Sequence, residues 1–178
     1  AQDRRIHMED FAQILVKYPH EKYNSANYEQ IAKIIYGFSG EGLVDTQQFA
    51  RRLLANILLA NGDAHLKNWS LFYPDTITPR LSPAYDIVST SVYIETEQQY
   101  ALNLGGTKAW YQVSYAHFEY WAKKSGIPWR AIKPHLDDAM DKARDLWPQA
   151  LKNLPMNEEH KQKLIKHWQN LHQDFRII

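Results

Sequence analysis

The chain has no cysteine among its 178 residues, which excludes a disulfide framework and any thiolate metal site. That absence fits a reducing cytoplasm, the expected location. There is no excess of charge of one sign. Lys and Arg number 21 against 20 Asp and Glu, a net +1, whereas a dedicated nucleic-acid-binding domain carries a strong basic surplus. No direct nucleic-acid binding is therefore expected. Long apolar runs are missing too. The leucine-rich "LLANILLA" at 53–60 is far too short to span a bilayer, so no membrane role is expected. The charged start "AQDRRIHMED" has no apolar signal-peptide core. Glycine is sparse, seven in all, and no G-x-G-x-x-G occurs, so a Gly-rich loop over nucleotide phosphates is absent from these residues. What is present is a hydrophobic content of 44% with 13% aromatics, enough to bury a core and to exclude general disorder.

Apolar periodicity predicts a mainly α domain with a small β-hairpin. A helix is expected over 27–36, with Tyr28, Ile31, Ala32 and Ile35 on one face and Asn27 with Gln30 as a capping box. "GFSGEG" at 37–42 breaks it. A stronger helix runs from about Val44 to Ala60, with Phe49, Leu53 and Ile57 at four-residue spacing and Asn61-Gly62 as its left-handed stop. "WSLFY" at 69–73 and "RLSP" at 80–83 are the two arms of the hairpin. No element is evident before residue 8, and 87–112 reads as irregular. The last third is helical. Ser114 caps a segment ended by Ser125-Gly126, Pro128 opens the next, and Asn157 caps a last one carrying Leu164, Trp168, Leu171 and Phe175.

The chemistry concentrates in "NGDAHLKNW", a polar loop between the leucine-rich helix and the hairpin. Asp63 and Asn68 stand in the spacing Asp-x-x-x-x-Asn found in the catalytic loop of protein kinases, where the Asp takes the acceptor's proton and the Asn holds Mg²⁺. A second metal-binding Asp is then needed downstream. "LSPAYDIVS" offers Asp86, 23 positions (86 − 63) after Asp63. One amide and one carboxylate are the hard oxygen ligands that Mg²⁺ takes alongside phosphate and water. A plain turn is the competing account, because Asp after Asn-Gly and a capping Asn are ordinary turn chemistry.

"NGDAHLKNWSL" followed by "LSPAYDI" resembles the HipA-like serine/threonine kinases, toxins of bacterial toxin–antitoxin modules. "RIHMEDFAQ" at 5–13 and "EKY" at 21–23 are similar to the opening of that family's C-terminal lobe. The resemblance covers about 5–90, and its two central motifs carry it. It implies a kinase-like C-terminal lobe over 1–178, with the N-terminal lobe outside this chain. It implies Asp63 as general base, Asn68 and Asp86 as ligands of Mg²⁺, His65 and Lys67 facing the phosphates of ATP, and Tyr85 lining the nucleotide pocket. It also implies a protein substrate, in the family an aminoacyl-tRNA synthetase, and a DNA-binding antitoxin as partner. The sequence departs from ordinary protein kinases where His65 replaces the loop Lys, Lys67 follows two places later, and Asp86-Ile-Val replaces Asp-Phe-Gly.

Two other functions compete with a kinase: a non-catalytic, pseudokinase-like interaction module, and a Mg²⁺-dependent phosphoester hydrolase using Asp63, His65 and Asp86. The hydrolase lacks the carboxylate cluster that two-metal hydrolysis needs. Elsewhere, His160 and His167 share a helix face expected to be solvated, and 121–178 carries a mildly basic surface. Asp10 and Gln13 are helix-capping residues or, near a hinge, ribose contacts. An exposed seam is expected along 1–13 and 61–86, where another lobe would dock.

Overall fold

The computed structural model describes residues 5–23, 25–94, 96 and 99–178. In chain order, strand β1 (His7–Asp10) leads into a one-turn helix α1 (Phe11–Ile14), then α2 (Tyr28–Phe38) and α3 (Gly42–Leu58). A hairpin follows, β2 (Ser70–Tyr73) with β3 (Arg80–Leu81), and then a second, β4 (Gln99–Leu104) with β5 (Thr107–Ala109). Helices α4 (Tyr115–Ser125), α5 (Trp129–Asn153) and α6 (Glu158–Asn170) complete it. The architecture is mainly α with small antiparallel sheets, as the periodicity predicts.

Local chemistry accounts for the helix ends. Asn27 accepts from the backbone N–H of Gln30, whose side chain returns the bond to Asn27, a reciprocal cap of the kind worth about 1 kcal/mol. α2 runs on through Gly37 and Phe38, two residues past its expected end. α4 closes on Gly126 at φ 76°, and Asp10 with Gln13 caps α1. That cap engages one oxygen of each side chain, Asp10 Oδ1 and Gln13 Oε1.

α3 lies at the centre, against α2 on one side and α5 on the other. Its Phe49 is fully buried and meets Trp69 edge-on at 4.6 Å, with Tyr28 and Trp121 at 6.4 and 6.1 Å. Burying each large apolar side chain contributes about 2–3 kcal/mol, so this aromatic cluster anchors the middle of α3 in the core. Its last carbonyls lack partners within the helix, and each finds one elsewhere. Leu59 N–H donates to Ala55 O, Asn61 N–H to Asn56 O, His167 Nε2 to Ile57 O at 2.7 Å and Trp168 Nε1 to Leu58 O at 2.8 Å. His167 is therefore buried rather than solvated, correcting the expectation for that face. A carbonyl only accepts, so Nε2 carries the hydrogen. Burial holds its pKa down at about 4 against the pull of Ile57 O.

The left-handed turn after α3 also differs from expectation. It falls on Ala60, at φ 53°, and not on Gly62. Asn61 supplies the reason, because it bonds Asn56 twice, through its own N–H and through Nδ2 to Oδ1 at 2.6 Å. Those bonds offset the cost of about 1–2 kcal/mol for a left-handed Ala.

The three-stranded sheet runs β1–β2–β3, with Met8 opposite Phe72 and Leu71 opposite Leu81. β1 begins at His7, so the opening residues do form an element. As an edge strand with His7 and Met8 exposed and Glu9 and Asp10 partly so, it shows no buried alternation to read. Phe11 and Ala12 are buried, so the expected seam is broken there, and its residues 1–4 lie outside the described residues. β3 is tied to the first turn of α3, where Asp45 accepts from Arg80 Nε and Nη2 at 2.9 and 3.0 Å and from Leu81 N–H. Burial raises the pKa of Asp45, but the bonds from Arg80 and Ser39 outweigh it and leave it below its ordinary value.

The stretch expected to be irregular holds the second hairpin. Gly105 and Gly106, at φ 60° and 88°, form its turn, which is the backbone a two-residue hairpin loop needs. A Cβ at Gly105 would lie 2.6 Å from His117 O, so the turn docks closely on α4. Phe175 lies beyond the end of α6 rather than on it, yet is fully buried against Phe118 and Tyr115.

Candidate active site

The loop from Asn61 to Trp69 carries the predicted residues, and it is pinned at several points. Gly62 N–H donates to Thr90 Oγ1 at 2.8 Å, Asp63 N–H to Asn61 Oδ1 at 3.1 Å, and Trp69 Nε1 to Ala64 O at 3.2 Å. Tyr28 O–H, from α2, reaches Ala64 O as well, at 2.8 Å. A short 3₁₀ turn, Leu66–Asn68, then delivers the chain into β2.

Asn68 and Asp86 meet. Asn68 Nδ2 donates to Asp86 Oδ2 at 2.5 Å, across 18 residues and the whole β2–β3 hairpin. Asn68 is 8% exposed and its Oδ1 is buried without a hydrogen-bond partner. A buried, unpaired amide oxygen beside a carboxylate is costly unless something electropositive satisfies it. Asp86 itself stands at φ 55°, a left-handed conformation that strains a non-glycine residue and recurs at functional sites. Behind the pair lies a cavity of about 10 Å³, lined by Arg52, Asn56 and Ser82, with Arg52 Nη1 donating to Ser82 O at 2.5 Å.

Asp63 lies on the other side of the loop. Its side chain is about half exposed, and Oδ1 accepts from Tyr23 O–H at 2.7 Å. His65 stacks edge-on to the Tyr23 ring, 5.1 Å between centroids, with Nε2 4.0 Å from Asp63 Oδ1. His65 is buried, Nδ1 without a partner. Burial lowers its pKa, while the charges of Asp63 and Asp86 pull it back up. Asp63 also lines a cleft of about 760 Å³ with Tyr23, Thr90, Tyr100 and Lys108. Lys67 is exposed. Its carbonyl accepts from Tyr85 O–H at 2.8 Å, so the 2.5 Å contact between Tyr85 and Ser70 has the Ser hydroxyl as donor. Tyr85 thus ties the loop to β2 at the rim.

The fold therefore brings Asn68 and Asp86 together, with Tyr85 lining the same cavity, and sets His65 near Asp63, which lines a separate cleft. Sequence reasoning missed Tyr23 and Thr90, whose partners lie 40 and 28 residues away. Among the described residues, no three of His, Asp and Glu cluster closely enough to hold a metal ion, and no helix is long and apolar enough to cross a membrane.

A model of the HipA-like C-terminal domain matches residues 1–147. The chain belongs to the HipA-like C-terminal domain family. This HipA-like domain is 40% identical over 151 residues to the "Putative kinase Y4dM" of Sinorhizobium fredii, covering 85% of the chain and 36% of that relative. A "Putative kinase" of Haemophilus influenzae is 44% identical over 75 residues, 42% of the chain and 21% of the relative. The domain spans about a third of the length of Y4dM and of a second S. fredii protein, "Putative kinase Y4mE". Its fold matches a chain of the Shewanella oneidensis MR-1 toxin–antitoxin complex of HipA, HipB and operator DNA. There the TM-score is 0.76 at 20% identity, covering 94% of this chain and 44% of that one.

Proposed function

We propose that this HipA-like domain is the C-terminal catalytic lobe of a serine/threonine kinase that moves the γ-phosphoryl group of ATP onto a protein hydroxyl, with Asp63 as base and Asn68 and Asp86 as metal ligands. The observation that carries the reading is the Asn68–Asp86 pair with its orphaned amide oxygen, Asn68 sharing its loop with Asp63. Kinase-named relatives support it. The proposal extends to a toxin role held in check by a DNA-binding antitoxin, which the fold match to a chain of the HipA–HipB complex supports. The protein substrate, in the family an aminoacyl-tRNA synthetase, stays part of that proposal.

The donor set suits Mg²⁺, which prefers few protein oxygens and keeps the rest for phosphate and water. Asn68 Oδ1 and the Asp86 carboxylate would hold it, and when bound it neutralises charge on the phosphate oxygens. The bond from Asn68 Nδ2 to Asp86 orients the amide, so that its oxygen is the free end. Asp63, on the rim of the wide cleft, takes the proton of an acceptor hydroxyl entering from that side. Lys67, exposed on the same loop, would face the phosphates of ATP, with His65 inside the loop and Tyr85 lining the nucleotide side.

Hydrolysis by two metals would need a richer carboxylate cluster than this site offers. Replacing Asp63 by Asn in the full-length protein tests the assignment. Phosphoryl transfer, followed with radiolabelled ATP, should fall by about 10²–10⁴-fold while nucleotide still binds. Undiminished transfer would remove Asp63 from the mechanism.

A further inference from the structure

Resting on the reading of Asp63 as base, we propose that Tyr23 is a positioning residue: its O–H holds one oxygen of the Asp63 carboxylate and leaves the other free to take the acceptor's proton. The bond is 2.7 Å and joins residues 40 apart. The near neighbour on the other flank, His65 Nε2, stays at 4.0 Å, beyond hydrogen-bonding range.

The segment that carries Tyr23 is itself fixed. Leu66 N–H donates to Lys22 O at 3.4 Å, and Lys108 Nζ, from β5, donates to Tyr23 O at 3.2 Å. Tyr23 therefore links the β4–β5 hairpin to the catalytic loop, and it lines the same cleft as Asp63.

A base must be aimed as well as present, because misplacement by an ångström or so costs orders of magnitude in rate. The Asp63 side chain, half open to solvent, would otherwise rotate about its terminal bond. With Oδ1 engaged by Tyr23, the proton balance is simple. The acceptor oxygen forms its bond to the γ-phosphorus, its proton passes to Asp63 Oδ2, and ADP departs with the electrons of the broken P–O bond. A hydroxyl is suited to the task, since it donates one hydrogen bond without adding a charge that would compete for the proton.

Two substitutions in the full-length protein separate positioning from packing. Tyr23→Phe keeps the ring against His65 and removes only the donor, whereas Tyr23→Ala removes both. Phe should lower kcat about tenfold, as expected for a misaimed general base, with KM for ATP unchanged. In an Asp63→Asn background, whose residual rate is read with radiolabelled ATP, the same substitution should cost nothing further. Wild-type kcat in Tyr23→Phe, with Asp63→Asn inactive and Tyr23→Ala impaired, would overturn the proposal and leave only ring packing. An equal loss from Tyr23→Phe with and without Asp63 would also overturn it. Full activity in Asp63→Asn would overturn the underlying reading and this inference with it.

Discussion

Acidification from pH 7 to pH 4 should weaken this fold through His167. The imidazole is 4% exposed, and its pKa falls from 6.5 to about 4 because burial penalises the charged form. The unfolded chain thus takes up the proton first. The stabilising contribution is complete above 6.5 and is lost as pH falls from 6.5 towards 4. A gap of about 2.5 units at about 1.4 kcal/mol each, less what the folded state recovers near its own pKa, comes to about 3 kcal/mol by pH 4. Burial shifts His65, His117 and His135 in the same direction, so the wild-type curve alone does not isolate one residue. His167→Gln does, since the amide nitrogen of Gln can still donate to Ile57 O but does not titrate. Thermal denaturation followed by circular dichroism at pH 7, 6, 5 and 4 should show wild type losing roughly 5–10 °C more than the variant across that range. Parallel curves would refute the reasoning. Asp45, whose pKa is lowered, loses its contribution only as pH falls below about 3.8, outside this window.

Replacing Asp86 by Ala should abolish the Mg²⁺ dependence of ATP binding in the full-length protein, read by calorimetric titration with and without the metal; persistence of that dependence would make Asp86 a turn residue. The 178 residues alone, which contain no Gly-rich phosphate loop, should fold and yet show no ATP turnover with Mg²⁺, because phosphoryl transfer depends on holding the γ-phosphate in line. Turnover from this chain by itself would show that its residues complete a site.

Much of the helical frame was legible because its signals are local. Asn27 and Gln30 lie three residues apart, and Ser114 and Gly126 bracket a single amphipathic turn pattern. The hydrophobic face of α3 repeats within its own length. The second hairpin was not legible, since β4 is buried on both faces at Tyr100, Ala101 and Leu102 and so lacks the alternation that marks a half-buried strand. β1 is bound through backbone bonds to β2, and its side chains carry no record of them. Spacing and order singled out Asp63, Asn68 and Asp86 as candidates, and Asn68 and Asp86 do meet, whereas Tyr23 is recruited across 40 residues, a distance over which no periodicity reports. His167 misled for the same reason, because a polar residue on a helix gives no sign that a distant carbonyl awaits it.

The bonds from His167 and Trp168 to Ile57 and Leu58 span 110 residues, and they close the end of the helix from which the loop carrying Asp63 and Asn68 departs. A ribosome making this chain would release the loop long before α6. Until α6 emerged, those two carbonyls would have only water for company, and the aim of the loop would be provisional. The domain match ends at residue 147, short of both residues. Fixing the end of α3 thus depends on residues made some 110 positions after it, and synthesis interrupted between the two would leave the loop present but unanchored.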